Sequence, residues 1–460
     1  MLTAVLAVVL ALAGSWAGRT PASSEAELVA AQQPAGPWSA PALLSSCAAA
    51  APVRVVFPSD SPSHATGPGA IVWSATASCP GGAGARVAEI GVRDTPGESL
   101  IPHTSAGLAL APAGTLVAGG APHGQLAIGG TNPRSAREAL VIQGNAGGRF
   151  SVLHRSEGSS APLALATAYL GDLALASGSE QGNHAPKRSA LNVSIERFFA
   201  GGLAPATPLQ EATGGPVEDL TTTMDYRGEV LAAWVQGGAI YAQLVRTNGT
   251  AARAQRIASV GANTHISALV SDDRRGMIAW STQQGGETRV YLDRSALGVR
   301  FGRPDLLESF QDPHGRSSPS ASPTLVRLSS ESVMLAWAGA RDNHWVIRAA
   351  PVDLSGIGEV DTLASANGDA LLAGLVAGPV DDALVLWTEP SASAGATRQT
   401  LFAAHCLDLY PPARSVFGEP EQVATRAQLS AASAAFDPSN DAVVAVWQGE
   451  AGALEYAVRR

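Results

Sequence analysis

From Pro52 onward, apolar and polar positions return to one pattern: a short apolar strand, a polar turn holding Asp, Asn or Gly, and a second apolar strand ending in Trp. The clearest copies are Leu220 to Trp234 (LTTTMDYRGEVLAAW), Ile266 to Trp280, Thr324 to Trp337, Leu372 to Trp387 and Ala432 to Trp447. Each predicts a β-hairpin. Period-2 runs of Val, Leu, Ile and Ala supply the strands, Asp and Asn supply Asx turns, and Gly supplies positive φ. Weaker copies at Gly69 to Trp73, Gly124 to Ile128 and Gly171 to Leu175 extend the series backward, the last two with an aliphatic residue in place of Trp.

The anchors at 73, 128, 175, 234, 280, 337, 387 and 447 are spaced by 46 to 60 residues. A third strand follows each of the clear anchors, as in Ala239 to Arg246 and His344 to Ala349. A more polar fourth strand then appears with Pro near its start, as in Phe301-Gly-Arg-Pro304-Asp-Leu-Leu307, Phe417-Gly-Glu-Pro420 and Pro205-Ala-Thr-Pro208. Pro fits an outermost strand because one edge there is unpaired. A period near fifty residues with four short strands predicts an all-β fold, a single β-propeller of four-stranded blades, eight by this count with seven as the alternative.

The last unit ends at Arg460 after its third strand. Near the other terminus, Pro41-Ala-Leu-Leu44 lies over Pro304-Asp-Leu-Leu307, so an N-terminal strand is expected to complete the C-terminal blade. This resembles the strand-swap latch of β-propeller families, and the chain is similar in pattern to secreted bacterial β-propeller repeat proteins over residues 36 to 460. It carries neither the Gly-His and Trp-Asp pairs of WD40 repeats nor recurring kelch glycine doublets. The repeated Trp residues are read as core between blades rather than as ligand-stacking surfaces.

Leu2 to Ala13 is an apolar run of signal-peptide length, shorter than the roughly 20 residues a spanning helix needs. Residues 1–17 are expected to be a signal peptide, 18–35 an Ala/Ser/Pro-rich leader and 36–460 the propeller, placing the protein outside the cytoplasm, secreted or at the cell surface. With 30 Lys plus Arg against 39 Asp plus Glu and no basic tract, nucleic acid is not a partner.

In propellers the second-to-third turns and the connections into the next blade open on one face. The longest polar connection there is QDPHGRSSPSAS, holding Asp312, His314 and Arg316. These, with Glu287 and Glu389, are the expected ligand-binding residues, although a solvated surface connection is the simpler reading. His184, His265, His314 and His344 could share that face, yet no His-x-x-x-His spacing marks a metal site, and no cofactor is expected. Asp272-Asp273 and Asp381-Asp382 fall in turns of the opposite face, where Asx turns account for them.

No Gly-x-Ser-x-Gly elbow is present, and the Ser-x-Asp-x-Gly-x-Thr-Trp turns of sialidases are absent. The sequence therefore favours a monomeric binding or scaffold module for a protein or glycan ligand. The alternative is a sugar-active hydrolase or lyase using Glu287, Glu389 or Glu450, whose carboxyls would need to stand ~5–9 Å apart. Three cysteines allow several pairings. The blade map places Cys47 and Cys79 in connections on the same face of adjacent units, which predicts their disulfide, and leaves Cys406 as a buried thiol inside a third strand.

Overall fold

The structure is a computed structural model that describes residues 38–460 except 48–51, 62–63, 66, 76–77, 80–83, 91–115, 133–134, 146–148, 158–162, 169–170, 182–187, 198–201, 210–215, 297–299, 314–321, 329–331, 364–368, 380, 392–397, 408–415, 427, 440 and 450–451. The expected signal and leader segments lie outside the described residues. Among the described residues no helix is long and apolar enough to cross a membrane.

Eight antiparallel sheets follow one another and form the blades of a propeller. Blade 1 shows three described strands, Arg54–Val56, Gly69–Ala75 and Gly84–Ile90. Blade 2 runs from Val117–Ala121 to Phe150–Glu157, blade 3 from Leu163–Thr167 to Thr207–Pro208, and blade 4 from Val217–Met224 to Gln255–Ser259. Blade 5 comprises Ala262–Val270, Gly276–Gln284, Glu287–Ser295 and Asp305–Gln311; blade 6 runs from Thr324–Arg327 to Asp361–Thr362. Blade 7 holds Leu371–Ala377, Asp382–Pro390 and Gln399–Leu407, with an outer edge split into Val416–Phe417 and Glu421–Arg426. Blade 8 takes Ala432–Phe436, Val443–Gln448 and Leu454–Arg459 from the C-terminus and Ala42–Ser45 from the N-terminus. The innermost strands of successive blades lie against one another, and the ring closes where blade 8 meets blade 1.

Each expected anchor sits in a second strand and pairs with a third-strand residue: Trp234 with Tyr241, Trp280 with Tyr291, Trp337 with Arg348, Trp387 with Phe402, and Trp447 with Glu455. Each of these five indoles packs into the cluster shared with the preceding blade. Trp234, for instance, meets Ala174, Ala176 and Val193 of blade 3, and Trp447 meets Leu384 and Leu386 of blade 7. Ile128 and Leu175 take the same place in blades 2 and 3, where Leu and Ala neighbours fill the layer without an indole. Aromatic partners stack where the third strand supplies one, with ring centroids 5.8 Å apart for Trp234–Tyr241 and 5.3 Å for Trp280–Tyr291.

In two of these five blades the pairing residue is charged, and the indole N–H joins a link to the outer strand of the preceding blade. Trp337 Nε1 donates to Glu308 Oε2 at 2.7 Å, beside Arg348. Trp447 Nε1 donates to Glu455 Oε2 at 2.9 Å, and that carboxylate also receives Arg426 Nε of blade 7 at 2.7 Å. Outer-strand ladders start just after a proline at Ala42, Asp305 and Glu421, because Pro has no N–H to give a ladder; in blade 5 this is a few residues later than Phe301, and in blade 7 Pro420 follows the short Val416–Phe417 piece of the edge.

The latch is as the sequence predicts. Ala42 pairs with Tyr456 and Leu43 with Glu455, while Ser39 N donates to Val458 O at 2.8 Å. Immediately after it, Cys47 is disulfide-bonded to Cys79 in the second-to-third connection of blade 1, with Cα atoms 5.6 Å apart. Cys406 is a free, buried thiol in blade 7. Thus the strand that completes blade 8 is covalently fastened to blade 1.

Two outcomes follow. Deleting residues through Leu44 should expose the edge at Leu454–Arg459 and lower the melting temperature by several degrees, and Cys47→Ser should remove about 3–4 kcal/mol in the chain-entropy model for its 32-residue separation; unchanged thermal unfolding in both variants would contradict the latch. Trp234, Trp280, Trp337, Trp387 and Trp447 are at most 2% exposed, so native emission should be blue-shifted and weakly quenched by acrylamide, and Trp234→Ala should cost about 3–5 kcal/mol by denaturant titration.

Candidate functional site

Second-to-third turns and inter-blade connections do share a face, as hydrogen bonds between them show. Val260 N donates to Gly238 O at 2.9 Å, and Asp312 N reaches Gly286 O at 3.4 Å. The tight turn at Gly285-Gly286 has φ of 66° and 82°, a conformation that glycine adopts without strain. It sets Thr288 at the start of the next strand beside the chain leaving blade 5.

Asp312 is buried there, 6% exposed, and accepts hydrogen bonds from Gln283 Nε2 and Thr288 Oγ1. Gln283 in turn accepts Asn263 Nδ2 at 2.8 Å. Beside it, Thr282 Oγ1 accepts Gly261 N at 2.9 Å and meets Thr264 Oγ1 at 3.0 Å. Asp312 is thus a staple joining the second and third strands of blade 5 to the base of the connection into blade 6. His314 and Arg316, the next expected site residues, lie outside the described residues, as do His184 and Glu450.

Glu287 stands on the same face, in an ion pair with Arg289 Nη2 at 2.6 Å and accepting Ser309 Oγ. The Ser309 hydroxyl, followed by the Arg289 guanidinium, holds its carboxyl below the usual carboxylate range. Glu389 is in blade 7, 7% exposed, and accepts Trp387 Nε1 at 2.7 Å. Its place is in the inter-blade layer, apart from the blade 5 network. His344 lies 3.6 Å from Asp369 in blade 6, and His265 belongs to the innermost strand of blade 5. Among the described residues no group of three or more His, Cys, Asp or Glu is arranged to hold a metal ion.

The innermost strands carry a device that the sequence reading did not single out. Asp219 Oδ2 of blade 4 accepts Ile266 N of blade 5 at 3.1 Å, Ser267 Oγ accepts Leu325 N of blade 6 at 3.1 Å, and Ser433 Oγ of blade 8 accepts Val55 N of blade 1 at 3.3 Å. Each small polar side chain satisfies a backbone donor on the next blade's free inner edge. The signal was a lone Asp or Ser next to the residue paired with the anchor Trp: Leu220, Ile266 and Ala432.

On the opposite face, Asp273 makes the expected local turn bonds, to Ser271 Oγ at 2.5 Å and Arg275 N at 3.3 Å. Asp272 instead bridges blades, taking Tyr226 N of blade 4 at 3.1 Å and Arg327 of blade 6. Asp382 pairs with His405 Nε2 at 2.7 Å, so the Asx explanation does not extend to it or to Asp272. Next to Asp272, Asp225 is fully buried; its Oδ1 accepts Glu229 N at 2.7 Å, and its Oδ2 has no hydrogen-bond partner among the described residues. Burial pushes this carboxyl up to about 6, with the charges of Glu229 and Asp272 adding to the shift.

No family model matches the chain, and no curated protein matches it. Solved structures that resemble it include Sqt1 from Chaetomium thermophilum, 14% identical with a TM-score of 0.47, the alignment covering 90% of this chain and 97% of that one. A fungal lectin from Aleuria aurantia, described as a six-bladed β-propeller with a novel fucose recognition mode, is 10% identical with a TM-score of 0.37, over 68% of this chain and 97% of that one. A prolyl endopeptidase is 14% identical with a TM-score of 0.41, over 90% of this chain and 54% of that one. At these values no role for any residue follows from them.

The Asp225 carboxyl generates a pH dependence of defined sign. The folded state keeps this proton up to about pH 6 while the unfolded chain releases it near 3.8, so between those values stability falls as pH rises. Asp225→Asn keeps the acceptor for Glu229 N and removes the charge. Its denaturant midpoint should exceed that of the parent above about pH 7 and converge with it near about pH 4; parallel curves would show that Asp225 is ionised in the fold without cost.

Proposed function

We propose that the protein is an extracytoplasmic β-propeller that binds a protein or glycan ligand on the face of the second-to-third turns, centred on blade 5. The observation that carries this reading is the buried Asp312 staple. A carboxylate fixed by Gln283 and Thr288 gives the polar connection that follows a rigid base. In this reading Asp312 positions the segment, His314 and Arg316 supply the polar contacts, and Glu287 with Arg289 forms a charged rim. Glu389, under the Trp387 indole, would act on the ligand only by holding the blade 7 edge in place.

The hydrolase alternative is less well supported. Glu287 is held ionised by Ser309 and Arg289, which suits a contact to a ligand donor and is the wrong state for a general acid. An extracytoplasmic location is supported by the Cys47–Cys79 disulfide, which an oxidising compartment permits, and by the apolar run at Leu2 to Ala13. A monomer without a cofactor is the simplest form of such a module.

The test is binding of the intact chain to arrays of glycans and of extracellular-protein peptides, followed by titration of each positive. His314→Ala combined with Arg316→Ala should weaken a true ligand at least about tenfold, equivalent to 1.4 kcal/mol, without moving the melting temperature. Retained affinity in the double variant, or turnover of a fluorogenic glycoside panel by the parent protein, would overturn the reading.

A further inference from the structure

A second site lies at the outer rim, between blades 5 and 6, towards the face opposite the Asp312 staple. There a cleft of about 370 Å³ is lined by Leu292, Leu307, Trp337 and Ile357, with Leu306 and Val360 at its edge. Leu306 is 53% and Val360 42% exposed, and Leu354, next to the lining residue Ser355, is 37% exposed. Two of the six large hydrophobic residues that the described surface exposes therefore line one opening, and a third is next to it in sequence. Isolated exposed aliphatics need no explanation, but a concave apolar floor with aliphatic edges is the usual form of a ligand pocket.

The polar groups at the opening set the chemistry of the occupant. Arg294 is neutralised by Asp305 and also donates to Asp353 O at 3.1 Å, so it offers no free positive charge. Asp305 keeps a half-exposed carboxylate, able to accept further hydrogen bonds. Ser355 Oγ is occupied by Asp353 Oδ1 at 2.6 Å. An anionic head would meet Asp305 with no cation to spare, whereas a hydroxyl or amide N–H would find an acceptor. The Trp337 indole is covered, 2% exposed, so the floor has no open aromatic face on which a sugar ring could stack.

We propose that this cleft binds a small uncharged molecule with an aliphatic or aromatic body and a hydroxyl or amide donor, the body seated over Leu306, Leu307 and Ile357 and the donor on Asp305. Such a site is independent of the blade 5 face and stands or falls separately from it.

A neutral naphthalene ketone dye whose emission reports polarity is the probe, with 1-octanol and octanoate as competitors. The intact protein should bind one dye saturably with a blue shift, and 1-octanol should displace it at least tenfold more effectively than octanoate. Val360→Asp and Leu306→Asp should each weaken binding about tenfold or more, while Val152→Asp, an equally exposed position on blade 2, should not. Asp305→Asn leaves Arg294 with uncompensated charge and should reverse the preference in favour of octanoate. Absence of saturable binding, equal loss in the Val152 variant, or an unchanged octanol preference in Asp305→Asn would each overturn the proposal.

Discussion

Everything in this molecule depends on second strands that are buried on both faces. In blade 4, Val230, Ala232 and Trp234 point into the layer shared with blade 3, while Leu231, Ala233 and Val235 point into the layer shared with blade 5. Blade 7 divides in the same way, with Ala383, Val385 and Trp387 on one side and Leu384 and Leu386 on the other. A strand of this kind has no solvent side, so a blade on its own would leave an apolar face in water. Burial thus requires a neighbour on each flank, and a line of such units satisfies both ends only by bending into a ring.

That requirement also explains which features were legible in the sequence. Runs such as Val230 to Trp234 are apolar at every position, and their recurrence located each blade, including those where Ile128 or Leu175 replaces Trp. The latch was legible because Pro41 to Leu44 repeats the start of an outer strand at Pro304 to Leu307. The roles of charged residues were not legible, since their partners come from other strands and other blades. Asp312 reads as a solvated loop residue until Gln283 and Thr288 close on it, and Asp272 reads as a turn residue until Arg327 arrives from the next blade. Glu389 looked like a free carboxylate on a loop face; its partner is the indole two residues earlier on its own strand.

Polar side chains tie blades together towards both faces. At the strand ends nearer the Asp312 staple, Asp219 of blade 4 takes Ile266 N of blade 5, and Arg426 of blade 7 meets Glu455 of blade 8 at 2.7 Å. On the other face, Arg197 pairs with Asp172 of blade 3 at 2.5 Å and reaches the carbonyls of Gly228 and Thr247 in blade 4, while Asp272 and Arg327 link blades 4, 5 and 6. The Arg197 guanidinium lies where a Cβ on Gly228 would stand, and Gly228 has φ of 79°, so this crossing is open only to glycine. The ring is thereby braced across blades at both ends of its strands.

The disulfide gives ring assembly an order in time. Synthesis delivers Ala42–Ser45 well before its partner at Leu454–Arg459, with blades 1 to 7 between them in the chain. A strand left waiting on a free tether would have to find that edge from a large volume and would meanwhile offer its own unpaired edge to other chains. Cys79 emerges only 32 residues after Cys47. Once those thiols are joined, the waiting strand is moored beside blade 1, which is where blade 8 must arrive. The closing event then becomes a short-range docking between two prepositioned partners, and the longest contact in sequence becomes one of the shortest in search.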